Sequence, residues 1–123
     1  MNNEKDNVYD LVEDFYAHDE GWNTLLRQEY AEGFLRMEAW KGKKNSDLYR
    51  SWDNLTMLCL YLGSAETFLG DMNADDFIDC IAWCGRNISE FTPDYKNTQD
   101  FLETCDGLFK YLKGKNAISN DTV

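Results

Sequence analysis

The sequence predicts an all-α fold, a single-domain antiparallel bundle of about five main helices, and three observations lead there. Apolar residues recur at helical spacing through almost all of the 123 residues, and no segment alternates with period two for long enough to make a strand. One proline and eight glycines are too few for a turn-dense sandwich or barrel. Hydrophobic types make up 43% of the chain and aromatics 15%, enough apolar surface to offset the ordering entropy that keeps polar chains unfolded. A chain of this length builds one core and is too short for two. Residues 1–123 are therefore expected to form one helical domain, with frayed ends at about 1–6 and 116–123.

The first helix is expected over about 7–18, with Val8, Leu11, Val12 and Phe15 at i, i+3, i+4 and i+7 facing the core. Asp6, Asp10, Glu13 and Asp14 then form an acidic outer stripe, and Gly21 closes the segment. Asn23 is a good N-cap for a second helix over about 24–40. Its inner face would carry Leu26, Tyr30, Phe34, Met37 and Trp40, with Leu25 at the edge. The run Lys41-Gly42-Lys43-Lys44 should stop it, since cations suit a helix C-terminus.

Ser46 is read as the cap of a third helix over about 47–62, with a core stripe of Leu48, Trp52, Leu55, Cys59 and Leu62. Its last turns, 57–62, are apolar all round, the mark of an enclosed helix. Gly63 should end it, and a single turn from Ser64 through Leu69 should precede Gly70. Asn73 with Asp76 three residues on resembles a capping box for a fourth helix, about 74–86, facing inward with Phe77, Ile78, Cys80, Ile81 and Cys84. Thr92 as N-cap and Pro93 at the first helical position would start the fifth, about 93–113. Phe101, Leu102, Cys105, Leu108, Phe109 and Leu112 form its apolar face, and Gly114 terminates it.

Charge narrows the function. Twenty-three acids against 12 Lys plus Arg leave a formal −11, which disfavours direct binding to nucleic-acid phosphates or an anionic membrane. The longest unbroken apolar run is six residues, 57–62, against roughly 20 for a membrane span. No basic segment leads into an apolar run at the N-terminus. A cytoplasmic location with reduced thiols is the expectation.

No nucleophile elbow, phosphate loop or dinucleotide fingerprint occurs, so neither an enzyme nor a bound cofactor is expected. Asp71-x-Asn73-x-Asp75 begins like a calcium loop. It then has Asp76 where glycine is required and Ala82 where the bidentate glutamate belongs, so helix capping is the better account. His18, the one histidine, reads as an exposed residue at a helix C-terminus.

What remains is a binding or regulatory protein directed at another, basic protein: an inhibitor, an antitoxin or a nucleic-acid mimic. The candidate surface joins Asp6, Asp10, Glu13 and Asp14 with a second acidic group, Asp71, Asp75, Asp76 and Asp79, and with Tyr61, Trp83 and Tyr111. Those three rings, like Leu35 and Met57, fall off the assigned core stripes, as residues at a partner interface do. Such a patch would also serve a homodimer, in which each copy uses the same surface. An alternative is a metal or redox sensor built on Cys59, Cys80, Cys84 and Cys105. Cys80 and Cys84 share a helix face, but no Cys-x-x-Cys knuckle is present, and each thiol lies in an apolar stripe.

Overall fold

Asn7 decides where the chain first becomes helical. Its backbone is extended, and its side-chain oxygen accepts a hydrogen bond from the Asp10 N–H at 3.0 Å, which caps α1 (Val8–His18). The computed structural model describes residues 7–115 and 117. A 3-10 turn at Glu20–Thr24 follows, then α2 (Gln28–Trp40), α3 (Asn45–Ala65), a second 3-10 turn at Leu69–Asp71, α4 (Ala74–Asn87) and α5 (Tyr95–Gly114). The fold is all-α, with five α-helices and no strand among the described residues, as the periodicity predicts. No helix among these residues is long and apolar enough to cross a membrane. The expected fraying at 1–6, Asp6 included, lies outside the described residues, as does nearly all of 116–123.

Two compact units form, Met1–Asp53 and Asn54–Val123, and the division falls within α3. In the first unit α1 packs on α2. Val8 and Val12 are buried as predicted, but Tyr16 completes the stripe of α1 in place of Leu11, which is 41% exposed, and Phe15, which is only partly covered. The reason is Tyr16, whose hydroxyl donates to the buried Leu26 carbonyl and turns that side of the helix inward. α2 starts four residues later than predicted because 20–24 winds as a tight turn. The Asp19 carboxylate accepts from the Gly21 N–H at 2.8 Å, and the Thr24 hydroxyl donates to the Gly21 carbonyl at 2.7 Å. Asn23 still serves the helix start, its side-chain oxygen accepting from the Gln28 N–H at 2.8 Å.

The inner face of α2 is Ala31, Phe34 and Leu35; Phe34 is buried as predicted, while Tyr30 and Met37 are only partly covered. Leu26 is buried but lies ahead of the helix, and using it as a helical reference turns the expected stripe toward Tyr30, Met37 and Trp40. Trp40, assigned inward, is 88% exposed, while Leu35, assigned outward, is fully buried. Gly42 ends the segment at φ +106°, a backbone that only glycine adopts freely, and the Lys43 N–H closes back on the Glu38 carbonyl at 3.0 Å. Inside that turn the Lys43 ammonium donates to Glu38 Oε2 at 3.1 Å and to Ser51 Oγ at 2.9 Å.

The predicted stripe of α3 is buried at every position, and its closing turns are enclosed apart from Leu60. Met57 and Tyr61, placed off the core by the sequence, are each only 7% exposed, because this stretch is covered on more than one side. The helix begins one residue before Ser46 and runs past Gly63 to Ala65. Glu66, at φ +56°, stops it, and the Thr67 N–H reaches the Leu62 carbonyl at 3.1 Å. Ser64 is therefore helical, and the short turn before α4 sits at 69–71.

In the second unit both halves of the Asn73–Asp76 capping box form, at 3.1 and 2.9 Å. Phe77, Cys80 and Cys84 are buried, Ile81 is partly covered, and Ile78 is 65% exposed. α5 begins two residues after Pro93, capped by Asp94, whose Oδ1 accepts from the Asn97 N–H at 2.8 Å. Pro93 is needed elsewhere: it packs on Gly85 of α4 so closely that a Cβ there would meet Pro93 Cγ at 2.9 Å. The face of α5 is as predicted, except that Leu102 is exposed and Thr104 buried. The Thr104 hydroxyl donates to the Asp100 carbonyl at 3.1 Å and accepts from Asn54 Nδ2 at 2.9 Å, so its polarity is satisfied inside.

Candidate functional site: an aromatic groove with an acidic rim

Once Val8, Val12 and Tyr16 are committed to the core, the neighbouring stripe of α1 is left facing outward. It carries Leu11, Asp14, Phe15 and His18, at i, i+3, i+4 and i+7. The tight 20–24 turn then lays Trp22 against Phe15, ring centroids 4.9 Å apart and planes 23° from parallel. Trp52 of α3 meets Phe15 edge to face at 5.3 Å and 87°. With Asp53 beside Trp52, these seven residues line an open groove of about 420 Å³ in the first unit. Trp52 is nearly buried and makes the floor, while Phe15 and Trp22 remain partly exposed.

Two carboxylates face this apolar surface. Asp53 has its pKa raised by desolvation, with Arg50 one turn earlier pulling it the other way. Asp14 and His18 sit one turn apart and stand well out in solvent. His18 Nδ1 lies 2.9 Å from the Asp14 carbonyl oxygen and 3.7 Å from Asp14 Oδ1. The backbone hydrogen bond, then the Asp14 charge, raise the His18 pKa above its ordinary value. No serine, threonine or cysteine lines the groove, so it offers no hydroxyl or thiol nucleophile. Among the described residues no three or more His, Cys, Asp or Glu side chains are placed to hold a metal ion.

Of the partner-binding residues read from the sequence, Asp14 alone lies in this groove. Asp10 and Glu13 are exposed on the same helix; Asp71, Asp75 and Asp79 are exposed at and before α4, and Asp76 is partly covered in its capping box. Among the described residues no ion pair engages Asp10, Glu13, Asp71, Asp75 or Asp79. The pairs that form use Asp14, Glu29, Glu32, Glu38 and Asp106. Tyr61 does not belong to an open surface: it is buried and meets Trp83 edge-on at 6.1 Å. Burial, then Asp76 and Asp79, raise the Tyr61 pKa. Trp83 and Tyr111 are partly exposed, the latter with the Lys115 ammonium 5.6 Å from its ring centre.

The four cysteines are free thiols in the interior of the second unit. Burial pushes Cys59 up to about 12 and raises Cys105 as well. Cys80 is raised because its thiol is held by the Cys84 sulfur and desolvated; the same hydrogen bond lowers Cys84.

The sequence places Phe15 and Trp52 in the core, which holds for Trp52 alone, and its apolar spacing singles out neither Trp22 nor Asp53. The one available signal was Trp22 itself, a large aromatic in a Gly-Trp-Asn connection where no helix needed it. No known protein family, curated protein or solved structure matches this chain.

Proposed function

We propose that this chain is a non-catalytic binding domain that engages a basic protein partner, acting in a reducing, cytoplasmic setting where buried thiols persist. The observation that carries the reading is the acidic face of α1: Asp10 and Glu13 are exposed and enter no ion pair among the described residues, next to a groove flanked by Asp14 and Asp53. Carboxylates held this way steer an oppositely charged partner and select against anionic ones. Burial of all four thiols weighs against the alternative of a reactive cysteine sensor, since thiolate formation and access govern reactivity.

The test is capture on immobilised poly-L-lysine, with the triple variant Asp10→Lys, Glu13→Lys, Asp14→Lys beside the wild type. The wild type should be retained at about 50 mM NaCl and released by about 500 mM, where the screening length falls to a few ångströms. The triple variant should bind markedly less. Retention unaffected by salt or by the triple variant would overturn the reading.

A further inference from the structure

We propose that the Phe15–Trp22–Trp52 groove is the receptor for one arginine side chain of the partner, its guanidinium resting against the aromatic wall and held by the carboxylates of Asp14 and Asp53. This deepens the basic-partner reading and rests on it. The residues present three things together: a ring surface built from stacked Phe15 and Trp22, a buried indole floor, and two acids at the rim. Aromatic faces attract cations through the ring quadrupole, and carboxylates attract them directly. A guanidinium answers both at once, being planar, weakly hydrated and able to fork two hydrogen bonds.

The same chain already satisfies arginine this way. The Arg36 guanidinium sits 4.6 Å above the Tyr9 ring centre and 3.8 Å from Glu32. Arg27 sits 6.0 Å from the Tyr30 centre and donates to Glu29 at 2.8 Å. In both cases one ring and one carboxylate share the cation. The groove holds rings and carboxylates, yet its lining contains no lysine or arginine; His18 is its one basic residue, and Arg50 stands beside Asp53. The groove is also open to solvent, which suits a side chain arriving on a protein. An enclosed aromatic cage would suit a methylated ammonium instead.

The experiment is a heteronuclear NMR titration of the whole chain with three short peptides, identical except for a central arginine, lysine or citrulline. Citrulline keeps the shape of arginine and removes the charge. The indole N–H signals of Trp22 and Trp52 should shift saturably with the arginine peptide, about five- to tenfold more tightly than with citrulline and more tightly than with lysine. Asp14→Asn and Asp53→Asn, both exposed and so expected to leave the fold intact, should each weaken the arginine peptide about two- to fivefold. Trp22→Leu should abolish the preference for arginine over lysine while leaving charge attraction. Indoles unmoved by the arginine peptide, or moved equally by citrulline, would overturn the proposal. If poly-L-lysine is still captured in a salt-sensitive way, the basic-partner reading survives that failure; if it is not, both fall together.

Discussion

Asp53 works against the fold that carries it. Its pKa is raised in the folded chain because desolvation penalises its charged form more than Arg50 helps it. At acid pH, below the ordinary carboxylate value, both folded and unfolded chains are protonated there and Asp53 has no effect. As pH rises, the unfolded chain ionises first, so stability is lost through the folded-state titration and stays lost at neutrality. Asp53→Asn should therefore raise the melting temperature at about pH 7, by no more than about 2 °C for a group this exposed, and leave it unchanged at about pH 3. Thermal unfolding at the two values checks it. A neutral-pH loss would mean that the Arg50 attraction outweighs desolvation. A guanidinium arriving at the groove would offset that desolvation by direct charge attraction to the Asp53 carboxylate.

Gly85 and Pro93 show, at the scale of elements, how the second unit departs from what its sequence suggests. Proline after threonine is a local helix-start signal, yet α5 waits for Asp94 because Pro93 is held against α4. Gly85→Ala would force its new methyl onto the proline ring. The substitution favours helix locally by close to 1 kcal/mol, but the clash should reverse the sign and leave a net loss of about 1–2 kcal/mol in denaturant unfolding. A net gain would show that Pro93 moves aside freely. The same tension between local and distant signals explains what was legible. All five helices and the α3, α4 and α5 faces followed largely from periodicity, because those stripes are long and strongly apolar. The phase of α2 did not, since Leu26 is a buried anchor outside the helix. The groove was illegible for a related reason: it depends on a 3-10 turn, made by the Asp19 and Thr24 side chains, that brings Trp22 back to Phe15. Hydrophobic spacing carries no record of such a turn.

Taken over the whole molecule, 23 acids against 12 Lys plus Arg make self-repulsion a term that every part of the chain feels. Five ion pairs form among the described residues, and most of their partners are substantially exposed, so they recover little of it. Repulsion among many charges acts over longer distances than any single pair. It is therefore screened first, as the Debye length falls from about 30 Å at 0.01 M to about 4 Å near 0.5 M. Raising NaCl over that range should raise the melting temperature by a few degrees and then level off. Sodium chloride is the right titrant, because sulfate would add a general strengthening of apolar burial that continues past the plateau. A melting temperature that falls with salt would mean that the exposed pairs, Arg27–Glu29 among them, contribute more than the net charge removes. Binding to a basic partner should move the other way across the same range, weakening as the fold strengthens. Two observables with opposite signs under one variable separate the charge that the fold tolerates from the charge that a partner would use, and a mutation that cut both responses together would locate the acids that serve both.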